Sequence, residues 1–419
     1  MKIKAITYAT LLFATSALFI SSCKKTVTPT IAPLPVTSTP KITTAGVTAI
    51  TEATATCGGS VLSEGASALL SVGVCWDTLT APTLLRPHTV EGAGTGSFTS
   101  KITGLKPNTT YYVRAYATNF SGTAYGQEMS FKTSMAWTRI NTASNPLNLF
   151  SMINSGSGLL AVNEVQFATS VISSNDNGVS WTNANNGMSG SFTFVLFDNG
   201  TATFAVTGSG LYKSVNNGQQ WTLNSDNTLS TLNCFASHNG SIIGGSGNGI
   251  RISSASGNVW TTSNTGLGSN KMINALLSTG SALFAATPSG CYKSTNGGSS
   301  WAAANTGLGS TEIGCFGMVN STIFAASNYN NTTFSSSDNG ATWTQVNGLN
   351  QGDIVGFVTN GNTIYAYGNG NGVFASSDNG VTWTSMNKGL PNLQIRTMVI
   401  KGSSLILNAE DGGVYTFPI

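Results

Sequence analysis

Tryptophan recurs through the last two-thirds of the chain at positions 137, 181, 221, 260, 301, 343 and 383, at intervals of 44, 40, 39, 41, 42 and 40 residues. A repeat of this length is one supersecondary unit that cannot bury its apolar face alone and has to stack on its neighbours. The residues between the tryptophans set the class of unit. Only 8% of the chain is Asp, Glu, Lys or Arg, while glycine numbers 49 and Ser, Thr and Asn are plentiful. Gly and Asn supply the positive-φ positions of tight hairpins, so this is an all-β composition. No segment after residue 22 carries a helical apolar period. A period near 40 in an all-β chain predicts a propeller of four-stranded sheets.

Six of the tryptophans close versions of one motif. Ser174 to Trp181, Ser336 to Trp343 and Ser376 to Trp383 fit Ser-x-Asp-x-Gly-x-x-Trp in full, with Asp176, Gly178 and Trp181, Asp338, Gly340 and Trp343, and Asp378, Gly380 and Trp383 at the fixed positions. The Asp can accept backbone N–H groups of its own turn, Gly takes the left-handed conformation, and Trp packs under the hairpin. The pattern resembles the Asp box of BNR-repeat propellers, in which it joins the third and fourth strands of a blade. Three copies are degenerate, with Asn216, Ala255 and Asn296 at the Asp position. Asn can still accept the turn bonds and Ala cannot, so the corner before Trp260 should be the weakest. Trp137 has no box before it, whereas three strand-like runs at the C-terminus have no Trp after them. Residues 137–140 are therefore expected to supply the outer strand of the last blade. Residues 136–419 then form a closed seven-bladed Asp-box propeller without open edges.

The first 22 residues combine Lys2 and Lys4 with a short apolar run and small residues before Cys23, as in a cleaved signal. They resemble a bacterial lipoprotein signal peptide, which implies that Cys23 is lipidated and becomes the mature N-terminus at a membrane. With the domain types, this resembles lipoproteins of Bacteroidota. Residues 23–40 carry Pro29, Pro33, Pro35 and Pro40 and read as an extended tether. Residues 41–134 alternate short β-branched stretches with turns, the pattern of a sandwich. Leu105 to Ala117, with Tyr111-Tyr112-Val113-Arg114-Ala115, resembles the corner strand of fibronectin type III domains. That resemblance implies that Tyr111 hydrogen-bonds back across the corner, and alternation points Val113 and Ala115 inward with it. Trp76 is expected between the sheets, which would aim Cys75 away. Cys57 and Cys75 either form a bridge or remain two buried thiols. The sandwich itself serves as a spacer or as a second binding module.

The formal charge is +3, and about +1 without Lys2 and Lys4. Without a clustered basic face, nucleic acid is not expected as a partner. Asp-box propellers include sialidases, some endoglucanases, sortilin-type receptors and photosystem II assembly-factor-like proteins, so the resemblance leaves function open. The family's boxes sit away from the ligand face, which makes Asp176, Asp338 and Asp378 structural. A sialidase needs several converging arginines, whereas the propeller has only Arg139, Arg251 and Arg396, of which Arg396 on the last inner strand reaches the channel. A glycosidase needs two facing carboxylates, and Asp226, Glu312 and Asp353 lie beside loops leading into inner strands. His88 and His238 fall in different domains, Cys234, Cys291 and Cys315 lack metal-ligand spacing, and no metal or cofactor is expected. Cys234 and Cys315 read as small inner-strand core residues. Glu164 and Asn328 to Asn331, including Tyr329, sit between second and third strands, where an aromatic ring beside amides suits a sugar or peptide. The leading expectation is a monomeric, non-catalytic module with no catalytic residue of its own, held at a membrane by its lipid anchor and binding a protein or glycan. The competing expectations are a glycan hydrolase and an assembly scaffold.

Overall fold

The computed structural model describes residues 37–419 except 143, 145, 167, 190, 191, 270, 310, 311, 328, 329, 350 and 351. Cys23, the signal segment, most of the tether and Tyr329 lie outside the described residues. The chain divides into two compact units, one taking in the residues up to Gly46, Cys57–Ser100 and Tyr112–Met129, the other Val47–Thr56, Lys101–Tyr111 and Ser130–Ile419.

Before residue 134 the strands form two sheets. Lys41–Thr44, Ala55–Ser63 and Gly96–Ile102 make the first, and Leu69–Asp77, Thr110–Asn119 and Gly122–Tyr125 make the second, with Met129–Lys132 also paired to Thr110–Asn119. Tyr111 makes the expected corner bond, its hydroxyl accepting the Lys106 N–H at 3.0 Å, and its ring stacks on Phe131 at 5.9 Å. Val113 and Ala115 are fully buried. The expectation for Trp76 is overturned: Cys75 is fully buried and Trp76 only half so. Period-two alternation does not sort this strand because chain covers it on both sides. A Cβ on Gly73 would meet the Thr89 carbonyl at 2.1 Å, and the Cys75 thiol donates to Pro82 O at 3.4 Å. Cys57 and Cys75 are free thiols, and burial pushes the Cys75 thiol up to about 11.

From Thr138 onward the described residues form seven four-stranded antiparallel sheets. Their first strands are Leu149–Ser155, Thr193–Asp198, Leu232–His238, Ala275–Ser278, Ile313–Val319, Asp353–Asn360 and Ile395–Lys401. Each first strand packs against the next, and the seventh packs against the first, so the inner strands form a closed circuit. The second strands are almost wholly apolar and buried, as in Thr203–Thr207 and Leu283–Thr287, because each is covered by neighbouring sheets on both faces. The seventh sheet is completed from the other end of the chain: Thr138–Arg139 pairs with Val414–Pro418, with Tyr415 opposite Arg139. Asn141 reinforces this closure, its Oδ1 accepting the Val414 N–H at 2.8 Å and its Nδ2 donating to Gly412 O at 2.9 Å.

The boxes join third to fourth strands as expected. In the first, Ser174 Oγ donates to Asp176 Oδ1 and accepts the Gly178 N–H, both at 2.8 Å, while Asp176 Oδ1 accepts the Ser180 N–H at 2.9 Å. The boxes of Asp338 and Asp378 repeat these bonds. The hydroxyls of Ser180, Thr342 and Thr382, followed by backbone N–H groups, hold the three carboxyls below the ordinary range, Asp378 at about 2. Asn216 and Asn296 substitute for Asp, accepting the N–H groups of Gln220 at 2.9 Å and Ser300 at 3.0 Å. In the copy with Ala255 the network fails. Gly257 N–H donates instead to Ser254 O at 2.9 Å, and the buried Ser253 hydroxyl has no partner.

A second repeat, not used in the sequence reading, explains how the sheets are joined. Asn-x-Gly-Leu/Met follows four of the fourth strands, at Asn185, Asn264, Asn305 and Asn387. Each Asn Oδ1 accepts an N–H of its own third strand, from Val171, Ile250, Cys291 and Val373, at 2.7 to 2.8 Å. The carbonyl of the following residue accepts the backbone N–H of the tryptophan on the next sheet, from Trp221, Trp301, Trp343 and Trp137, each at 2.9 Å. The indoles of those same tryptophans reach back across the boundary, to Ala184 O, Ser263 O, Ala304 O and Met386 O at 2.7 to 3.1 Å. Where the motif is missing, Trp181, Trp260 and Trp383 instead bond the Gly carbonyl of their own box at 2.9 to 3.1 Å. The motif Gly is obligatory at this joint: Gly266 has φ 84°, and a Cβ there would meet Trp301 O at 2.0 Å.

Three substitutions test this account of stability. Ala255→Asp should raise the thermal midpoint by the equivalent of about 1 kcal/mol, because it gives the buried Ser253 hydroxyl an acceptor. Gly266→Ala should cost about 3 kcal/mol by denaturant titration. Gly348→Ala, also at positive φ but with its nearest neighbour 3.8 Å away, should cost only the left-handed strain of about 1 kcal/mol.

Candidate binding face of the ring

Antiparallel order gives the ring two unlike faces. The first-to-second hairpins and the box turns lie on one, the box face. The second-to-third hairpins and the connections between sheets lie on the other, the connection face.

On the connection face, six of the seven first strands begin with the same irregularity. One residue is left over against the second strand: Phe150, Phe194, Asn233, Gly314, Val355 and Arg396. Such a bulge bends the strand and re-aims a side chain. Two residues before it stand Asn148, Phe192, Thr231, Glu312, Asp353 and Gln394. The mouth of the ring is therefore set by two positions per sheet, and neither takes part in box or joint. The bulges carry no composition signal. Only the register of strand pairing reveals them.

The residues singled out from sequence fall on this face, where their environments differ. Asp226 is the N-cap of a short 3-10 helix, Asn227–Thr231, that leads into the third sheet, accepting the Thr228 N–H at 3.0 Å and hydroxyl at 2.6 Å. The Thr228 hydroxyl holds its carboxyl below the ordinary value. Its carboxylate serves as a helix cap on this face. Glu164 lies near the end of strand Gly158–Val165 and accepts the Asn148 side-chain N–H at 2.9 Å. Arg396 reaches Glu410 at 3.4 Å, and together with Asn369 and Gln394 the pair lines an open hollow of about 370 Å³. Glu312 immediately precedes its first strand and Asp353 begins the next; no ion pair or side-chain hydrogen bond engages either among the described residues. Arg139 sits on the outermost strand, 3.8 Å from Asp411, and Arg251 on a third strand.

The connection face also exposes apolar side chains that sequence reasoning missed. Phe192 and Phe194 are 45% and 49% exposed and Val165 is 56% exposed. Phe192 and Phe194 flank Thr193, whose N–H bonds the Thr169 hydroxyl, whereas Val165 alternates with Val162 and so projects from the opposite side of its sheet. A further hollow, of about 470 Å³, lies among the far ends of the first strands and is lined by Met152, Phe197, Phe357 and Met398 among others. Burial pushes the inner-strand thiols of Cys234 and Cys315 up to about 12, which keeps them protonated and inert. Among the described residues no group of three His, Cys, Asp or Glu side chains could hold a metal ion.

No family model matches the sequence, and no curated protein matches it. Solved structures do resemble it. The extracellular domain of a putative hybrid two component system from B. thetaiotaomicron, BT4673, aligns with a TM-score of 0.56 and 11% identity over 67% of this chain and 39% of that one. The present chain thus spans about two-fifths of that domain. A catalytically inactive virginiamycin B lyase from Staphylococcus aureus, with quinupristin, aligns at 0.55 and 10% identity over 68% of this chain and all of the other. YCF48 bound to D1 peptide aligns at 0.53 and 17% identity over 68% and 95%. With the WD40 propeller of Doa1 also similar, the shared architecture is the β-propeller.

Asp226→Ala should cost about 1 kcal/mol as a lost cap. Because the folded pKa is depressed below 3.8, that contribution is present above the ordinary carboxylate range and disappears as pH falls through the lowered value. Unfolding of wild type and variant should therefore converge in acid.

Proposed function

We propose that this is an exported lipoprotein whose seven-bladed Asp-box propeller binds a protein partner through its connection face without transforming it. Cys23 would carry the lipid after removal of residues 1–22. Residues 23–40 would give reach, and the fibronectin type III-like sandwich of residues 41–134 would act as a spacer. Likeness to extracellular domains from B. thetaiotaomicron supports a place in the cell envelope, and a propeller of this shape with a bound peptide supports binding. The observation that carries the reading is the exposed pair Phe192 and Phe194, two residues apart at the start of the second sheet's first strand, since contiguous exposed apolar surface marks a contact site. Of the acids expected for the hydrolase alternative, Asp226 is engaged as a helix cap, so that alternative rests on Glu312 and Asp353. Tyr329, outside the described residues, stays a proposed contact.

The test uses membranes from cells making the full-length protein with a photo-crosslinker at residue 194, on the connection face, or at residue 179, on the box face. A defined protein adduct is expected at 194 and not at 179, and Cys23→Ser should release the protein from the membrane fraction. Adducts at both positions or at neither would defeat the binding reading. Retention of the Cys23→Ser protein would defeat the anchor.

A further inference from the structure

The mouth of the ring is chemically divided. Its apolar part belongs to the second sheet, through Phe192 and Phe194. Its acidic part belongs to the fifth and sixth, through Glu312 and Asp353, which occupy the same position on adjacent first strands. The seventh sheet lies between these parts in the circuit and presents Arg396, whose charge Glu410 answers at 3.4 Å.

Most carboxylates of this face are already used. Asp226 caps a helix. Asp411 accepts the Tyr415 hydroxyl at 2.6 Å and the Gly413 N–H at 3.0 Å. Glu164 holds Asn148. Glu312 and Asp353 remain as the acids without a protein donor among the described residues. Both are half-buried, and no ion pair among the described residues answers either charge. A ligand cation would be attracted to them, and an anion would be repelled.

Resting on the binding reading above, we infer that the mouth takes a polypeptide segment carrying both apolar and basic side chains. The apolar ones seat on Phe192 and Phe194, and the basic ones face Glu312 and Asp353. Charge complementarity selects this occupant. The pair of acids disfavours an acidic peptide, and the exposed phenylalanines offer a neutral sugar few hydrogen-bonding groups. Aromatic rings give the contact energy, and the rim charges give selectivity and steering.

Fluorescence anisotropy with the purified full chain tests this. Two labelled synthetic peptides of equal length and equal Phe content would be compared, one with Lys and one with Glu at the intervening positions, alongside a labelled neutral oligosaccharide. The Lys/Phe peptide should bind, with affinity falling as salt rises, and the other two should not. Glu312→Gln with Asp353→Asn should weaken that binding about tenfold, the worth of two exposed ion pairs, and leave the thermal midpoint unchanged. Glu64→Gln, an exposed acid before the ring, should leave it unaltered. Equal binding of the two peptides, no binding of either, preference for the oligosaccharide, or undiminished affinity in the double variant would each overturn the inference. A residue-194 adduct that persists in the double variant would leave the broader binding reading standing while ending this one.

Discussion

The ring depends on what holds its outermost strands. Six of the seven fourth strands are two residues long, among them Thr182–Asn183, Thr384–Ser385 and Thr138–Arg139. Two residues make too few ladder bonds to fix a strand against solvent. The tryptophan immediately before each of these strands does so instead. Its ring is largely buried, and in four cases both its backbone N–H and its indole N–H bond carbonyls of the preceding sheet. These bonds tie the weakest element of one sheet to the exit of another, so local order and ring closure are the same event. Trp137 shows this most directly, because its partners Lys388 and Met386 lie about 250 residues away in sequence.

That design explains the composition. An element covered on both faces by its neighbours needs small or apolar residues and turns, and few charges. Much of the charge the ring does carry is spent in turns. Asp176, Asp338 and Asp378 are held ionised by the hydroxyls and N–H groups of their own boxes, and Asp198 accepts the Thr203 hydroxyl at 2.6 Å and the Gly200 N–H at 2.7 Å. The copy with Ala255 shows the cost of omitting one such acid: a buried hydroxyl is stranded.

Much of the architecture was legible in the sequence because the repeat is a property of residue type at fixed spacing. The boxes, the strand completed by Thr138–Arg139 and the Tyr111 corner could all be placed by counting. The Asn-x-Gly joint was equally visible at the same period, but its meaning lies on the neighbouring sheet, and nothing within one repeat points there. Trp76 was misplaced because alternation presumes one covered face, and Leu69–Asp77 has chain on both. The site was less legible still. Asp226 could have been read as a cap from Asp-x-Thr, but whether Glu312, Asp353 or Glu410 is free depends on which donor the fold brings near, and only Glu410 receives one.

The two faces differ in how much freedom they leave. On the box face five of the six box turns are closed by the side chains that define the motif, so changing a residue there strands a hydroxyl or an N–H. On the connection face the backbone and the Asn-x-Gly joint carry the architecture, while the bulge position and the one two residues before it take Phe, Asn, Gly, Val or Arg and Asn, Phe, Thr, Glu, Asp or Gln in successive sheets. Although Phe150 packs against the core between the first two sheets, residues as unlike as Gly314 and Phe194 at one structural position show that the fold does not dictate that side chain. Their variety therefore reflects what the mouth contacts, and the grouping of Phe192 with Phe194 on one sheet and of Glu312 and Asp353 on two adjoining sheets is a pattern that ring assembly alone does not require.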